Sequence, residues 1–123
     1  MSQTCHEVLL PDRTTNSLKM SKGATTNLPL QLDDPELGMR SVLTYLFWAS
    51  PNVQDLQFKL AIVNGNGDTH PVSTHTLNSP VERVYQDLIP ANILTETGNT
   101  LRINVSEGTG ELHLTNIVHW YRT

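Results

Sequence analysis

Leu56-Gln57-Phe58-Lys59-Leu60-Ala61-Ile62-Val63-Asn64-Gly65-Asn66-Gly67-Asp68 is the stretch that decides the fold class. Leu56, Phe58, Leu60 and Ile62 share one parity, and Gln57, Lys59 and Ala61 share the other. A period of two belongs to a strand with one face in a core and the other toward solvent. The run then enters Asn-Gly-Asn-Gly-Asp, where Asn and Gly tolerate the positive φ that a tight hairpin turn requires. The return strand, Thr69 to Thr76, is weaker because it carries His70, Pro71 and His75.

Outward from this hairpin the same signals recur. Downstream, Val81 to Leu88 reads as extended. Ile89-Pro90-Ala91-Asn92-Ile93-Leu94 is expected to form one helical turn, since Pro suits the first turn of a helix. Leu101, Ile103 and Val105 alternate with Arg102 and Asn104, and Gly108-Thr109-Gly110 is expected to close a hairpin onto Leu112, His113 and Leu114. Upstream, Glu7 to Leu10 reads as a first strand stopped by Pro11-Asp12, and Ser17 to Met20 as an edge strand. Leu28, Leu30 and Leu32 form an edge or irregular strand, because Pro29 lacks a donor.

Two segments break the one-sided pattern. Val42, Leu46 and Trp48 fall on one parity of Val42 to Ala49, and Leu43, Tyr45 and Phe47 on the other; Ile117 to Tyr121 is likewise apolar on both. A two-layer sandwich covers one face of each strand, so something must cover the second. A large exposed apolar patch is rare on monomers, which leads to the expectation of a homodimer.

Composition agrees with strands. Fifteen Thr and fourteen Val plus Ile stand against four Ala and three Lys, and β-branched side chains suit a pleated surface. Residues 1–123 are expected to form one all-β domain, an antiparallel sandwich of about eight strands. Eight Lys plus Arg against twelve Asp plus Glu give a net charge of −4, which offers no basic field to nucleic acid. No apolar run approaches the roughly 20 residues of a membrane span. The opening Met-Ser-Gln-Thr-Cys-His-Glu has no basic stretch followed by an apolar one, so a cytoplasmic location is expected. A lone cysteine, Cys5, leaves no intramolecular disulfide to form.

The order of motifs in the second half is more specific than their periodicity. Val63-Asn64-Gly65 ends a strand, Ile89-Pro90-Ala91-Asn92-Ile93-Leu94 precedes Gly98-Asn99-Thr100-Leu101-Arg102-Ile103-Asn104-Val105, and the chain closes on Asn116-Ile117-Val118-His119-Trp120-Tyr121. Over Val42 to Tyr121 this order resembles the galactose-binding-domain-like jelly rolls, found as carbohydrate-binding modules and as accessory domains of glycosidases and lyases. The resemblance implies a jelly-roll sandwich in which the Asn sits at a turn and the alternating residues fill the core. Ligand residues in that superfamily lie on variable loops or a concave sheet, so no motif carries them over.

The residues themselves nominate Trp48, Trp120 and Tyr121 as ligand-binding candidates, because an aromatic ring offers a flat partner to the C–H face of a sugar. Their plain alternative is core filling. His70 and His75 are secondary candidates. His113 and His119 share parity but would stand about 20 Å apart on a continuous strand, too far to ligate one ion unless a bulge near Asn116 intervenes. Asp33, Asp34 and Glu36 read first as loop acids and are the candidates for a structural calcium; no other cofactor is expected. Catalysis finds no support: no Gly-x-Ser-x-Gly elbow is present, the acids fall in turns, and Cys5 and His6, being adjacent, point to opposite faces of a strand. The expected function is therefore a non-catalytic, lectin-like carbohydrate-binding module. The rivals are a self-associating structural or interaction sandwich and an accessory subunit of a carbohydrate-active enzyme.

Overall fold

The computed structural model describes residues 3–10 and 17–123. The stop signal Pro11-Asp12 lies outside them. Nine strands follow one another: β1 (Thr4–Leu10), β2 (Leu18–Met20), β3 (Thr25–Pro29), β4 (Ser41–Ala49), β5 (Gln54–Val63), β6 (Thr69–Leu77), β7 (Arg83–Ile89), β8 (Thr100–Thr109) and β9 (Leu112–Arg122). They form two antiparallel sheets. One runs β1-β9-β4-β7 with β2 also paired to β9, and the other runs β3-β8-β5-β6. The all-β sandwich expected from alternation is the architecture found.

Alternation becomes burial strand by strand. Leu56, Phe58, Leu60 and Ile62 of β5 and Leu101, Ile103 and Val105 of β8 are shut from solvent. Leu43, Tyr45 and Phe47 of β4 meet them from the other sheet, with the Phe47 and Phe58 rings 5.2 Å apart and nearly perpendicular. Each such aliphatic or aromatic side chain contributes about 1.5–3 kcal/mol by leaving water.

Two asparagines hold the loops that the sequence marked. The Asn64 Oδ1 accepts from the Asn66 and Asp68 amides at 3.0 and 3.1 Å, closing the β5–β6 turn, while its Nδ2 donates to the Ile93 carbonyl at 3.0 Å. Asn99, 2% exposed, donates to the Thr95 carbonyl at 2.6 Å and accepts from the Thr95 amide at 2.9 Å. Such side chains stand in for a missing backbone partner where the chain turns.

Three expectations are corrected. Residues 89–94 form no helical turn: β7 runs through Ile89, and Asn92, at φ 66°, donates its amide to the Leu37 carbonyl. The tertiary bond to Leu37 replaces the local one a helix would have made. The strand expected over Leu28 to Leu32 is an edge strand, but its bounds are Thr25–Pro29, ending where Pro29 ends its pairing to β8. Gly108-Thr109-Gly110 closes no hairpin, because β8 and β9 lie in different sheets. β9 itself bulges, and both its faces stay apolar beyond the bulge, with Val118 and Trp120 outward. Leu46 pairs with Thr115 and Thr44 with Val118, and Asn116 takes a φ of 51°. The extra residue switches parity, so Leu112 and Leu114 before it and Ile117, His119 and Tyr121 after it all point inward.

Candidate functional site

The two outer faces differ in kind. On the four-stranded sheet, Gln57, Lys59, Asn27, Arg102 and Asn104 project to solvent and bond to neighbours: Arg102 Nε to Asn27 Oδ1 at 3.3 Å, Asn104 Nδ2 to Thr25 Oγ1 at 2.8 Å, and Ser106 Oγ to Gln57 Oε1 at 2.9 Å. That is a solvated polar face. On the five-stranded sheet, register places His6 beside Trp120, Trp120 beside Val42, and Val42 beside Leu88 in one row. The next row runs Val8, Val118, Thr44 and Gln86, and a further one joins Leu46 to Val84. This outer face is apolar and carries both tryptophans.

Trp120 is 40% exposed. Its ring lies 5.1 Å from the His6 ring, and its Nε1 donates to Thr44 Oγ1 at 3.2 Å, so the indole is held at a fixed attitude with one face to solvent-side contact. Trp48, half-buried on the same face, stacks on His113 at 5.0 Å with planes 9° apart; His113 in turn reaches Glu111 Oε1 at 3.1 Å. Val42, beside Trp120, and Trp48 are six residues apart on β4, about 20 Å along the strand.

The other named residues are elsewhere. Tyr121 points inward, 6% exposed, and its hydroxyl accepts from the Asp33 amide at 2.9 Å. His70 and His75 lie on β6 of the opposite sheet, paired with the inward-facing Ile62 and Phe58. The structure thus brings Trp48 and Trp120 onto one face, leaves Tyr121 on the inner side of the same sheet, and places His70 and His75 on the other sheet. Among the described residues no three His, Cys, Asp or Glu side chains gather to hold an ion. The loop is instead tied through its backbone, with the Asp33 amide on Tyr121, the Glu36 amide on the Arg122 carbonyl and Asp34 in a left-handed turn at φ 48°. His113 and His119 are parted by the Asn116 bulge, the first facing outward and the second into the core.

A cluster that the sequence did not reveal sits between the edge strands β6 and β7. Tyr45 donates its hydroxyl to Asp87 Oδ2 at 2.6 Å, and Ser73 Oγ donates to the same oxygen at 2.8 Å. His75 Nε2 lies 2.7 Å from the Tyr45 hydroxyl and 3.2 Å from Ser73 Oγ. With both hydroxyl protons committed to the carboxylate, His75 is the donor toward their lone pairs. Burial, then the bond to Asp87, pushes the Tyr45 hydroxyl far above its ordinary range, and burial lowers His75. Ser, His and Asp meet here, but Asp87 binds the serine instead of orienting the histidine, which is not the geometry of an activated nucleophile. The cluster is a buried polar clasp between sheets. Tyr45→Phe is expected to lower unfolding free energy by about 1.5 kcal/mol, the worth of a hydrogen bond to a charged group, read from the shift in urea midpoint at constant slope. The signal was parity: Tyr45 and Asp87 fall on inward positions, but pairing across strands 42 residues apart is not written in either segment.

At one end of the sandwich a cleft of about 250 Å³ is lined by Pro29, Leu32, Glu96, Thr97 and Asn99 among others, with no aromatic ring.

Among solved structures the chain is similar to a family 29 carbohydrate-binding module, with a TM-score of 0.58, 10% identity, and coverage of 96% of this chain and 89% of that one. A mutant of such a module complexed with mannohexaose gives a TM-score of 0.56 at 9% identity, covering 96% of this chain and 92% of that one. A CBM4 structure gives 0.50 at 10% identity; the match covers 76% of this chain and 56% of that chain's length. The fold of carbohydrate-binding modules is therefore the fold of this chain. No family model and no curated protein matches it.

Proposed function

We propose that the protein is a non-catalytic carbohydrate-binding module that receives a sugar chain across the outer face of its five-stranded sheet, with Trp120 as the stacking ring. The observation that carries the reading is an indole 40% exposed and held by Thr44 and His6 on a largely apolar sheet face. Pyranose rings present C–H patches that pack on such a surface, and Thr44 and Gln86 supply hydrogen-bonding groups within it. The shared fold supports the same reading, and relatives complexed with mannohexaose and cellulohexaose supply the first probes. The opposite face has the polar groups but no ring, and the end cleft has no ring either.

Titration calorimetry with these two hexasaccharides tests the proposal. Binding is expected with the intact chain, and Trp120→Ala is expected to weaken it at least tenfold, about 1.4 kcal/mol, with the thermal midpoint nearly unchanged because the ring is on the surface. Equal affinity in wild type and variant would move the ligand off this face, and silence across a panel of neutral oligosaccharides would overturn the module reading.

A further inference from the structure

The sandwich has four outermost strand edges besides the short β2, and they are not equally guarded. A free edge invites pairing with another chain unless a proline, a bulge, shortness or charge blunts it. β6 carries Pro71 and a register shift against β5; β3 is five residues long and ends in Pro29; β1 is interrupted by a register shift between Val8 and Leu10; β2 has only three residues. β7 has no proline, no register shift and a full seven residues. It pairs with β4 without a break from Ser41 opposite Ile89 to Phe47 opposite Arg83, and it contains no Pro, Gly or Lys. Its outward residues are also the most exposed apolar ones on the sheet, Val84 at 75% and Leu88 at 54%. Of the two charges on its inward parity, Asp87 is already bonded to Tyr45 and Ser73 of its own chain, and Arg83 stands at the first residue of the strand, opposite Phe47.

We infer that β7 pairs antiparallel with β7 of a second copy of this chain, joining two five-stranded sheets into one continuous sheet around a two-fold axis at Gln86. The strand is self-complementary in that register. Val84 faces Leu88 of the partner twice, Gln86 faces itself, Arg83 faces Ile89 and Tyr85 faces Asp87, so no like charges oppose each other. The exposed valine and leucine side chains of each copy cover those of the other. A two-fold perpendicular to the sheet keeps the two Trp120 faces on the same side. The inference is independent of sugar binding. It also places the self-association expected from the sequence at an edge, where the face carrying Trp120 stays open.

Sedimentation equilibrium of the full chain decides it. The expected result is a mass of twice 13.7 kDa with a midpoint in the micromolar range, and at least a tenfold weaker association for Val84→Lys or Leu88→Lys, each on the exposed surface and compatible with the folded monomer. In a Cys5→Ser background, Gln86→Cys is expected to cross-link into a disulfide dimer on mild oxidation, whereas Val84→Cys is not, since only position 86 meets its own copy. A monomer persisting at several hundred micromolar, a dimer untouched by both lysine substitutions, or equal cross-linking at positions 84 and 86 would each overturn the inference.

Discussion

Gly108→Ala is expected to reduce the free energy of unfolding by about 3 to 5 kcal/mol, from backbone strain and overpacking added together. Gly108 sits near the end of β8 at φ 97°, a conformation that an L side chain rarely adopts. A methyl there would meet the Asp55 carbonyl oxygen and the Leu56 Cα, which are backbone atoms that no rotamer change can withdraw. Asp55 is itself left-handed at φ 48°, and the β5–β8 register slips between Gln54 and Phe58, so two strained positions face each other across one irregularity. Relieving the clash means pulling apart the pairing that carries Leu56 and Phe58 into the core. Gly38→Ala is the matched control: open space surrounds that Cβ position and its φ is not positive, so its effect is expected within about 0.5 kcal/mol. Urea unfolding of both variants reads the contrast, and similar midpoints would show that the β5–β8 junction yields.

Acid is expected to remove about 2 kcal/mol of stability between pH 7 and pH 5, and about 3 kcal/mol by pH 4, through one histidine. His119 has no exposed surface; its Nε2 lies 2.9 Å from Ser41 Oγ, its Nδ1 has no hydrogen-bond partner, and its ring stacks on Tyr121 at 5.5 Å. Burial disfavours the cation and pushes its pKa from 6.5 down to about 4. A depressed histidine means that the unfolded chain binds the proton first. The stabilisation is therefore complete above pH 6.5 and is lost as pH falls toward 4. His75, lowered chiefly by burial, acts in the same direction, so the measurement compares wild type with His119→Leu. The variant is expected to be weaker at pH 7, where Ser41 loses its partner, and to show a shallower decline from pH 7 to 5. Parallel declines would show that His119 accepts its proton in the folded state.

These expectations rest on side chains that the sequence named for other reasons or passed over. In sequence His119 shares the parity of His113, because a continuous strand would put the two on the same face. Gly108-Thr109-Gly110 has the composition of a hairpin, but β8 and β9 lie in different sheets, and the intolerance of Gly108 toward a methyl depends on Asp55, more than fifty residues earlier in the chain. Tyr45, Ser73 and Asp87 carried no local mark of their meeting.

Local pattern determined the layers. The alternation in Leu56-Phe58-Leu60-Ile62 and Leu101-Ile103-Val105 admits one buried face, and Asn64-Gly65-Asn66-Gly67-Asp68 admits a reversal, because both follow from the period of a strand and from which residues accept positive φ. The resemblance over Val42 to Tyr121 was legible for a related reason: Asn64 and Asn99 satisfy nearby backbone at turns, and that chemistry is written within a few residues. Tertiary structure decided the faces and the partners. The bulge at Asn116 exists because β9 must pair with β1 and β4 while its inward side fills one core, and a single extra residue there inverts the parity of everything after it. That inversion sends Tyr121 and His119 inward and leaves Trp120 outward beside His6 and Val42, so the candidate platform was fixed by strand pairing across the sheet and not by any spacing within β9.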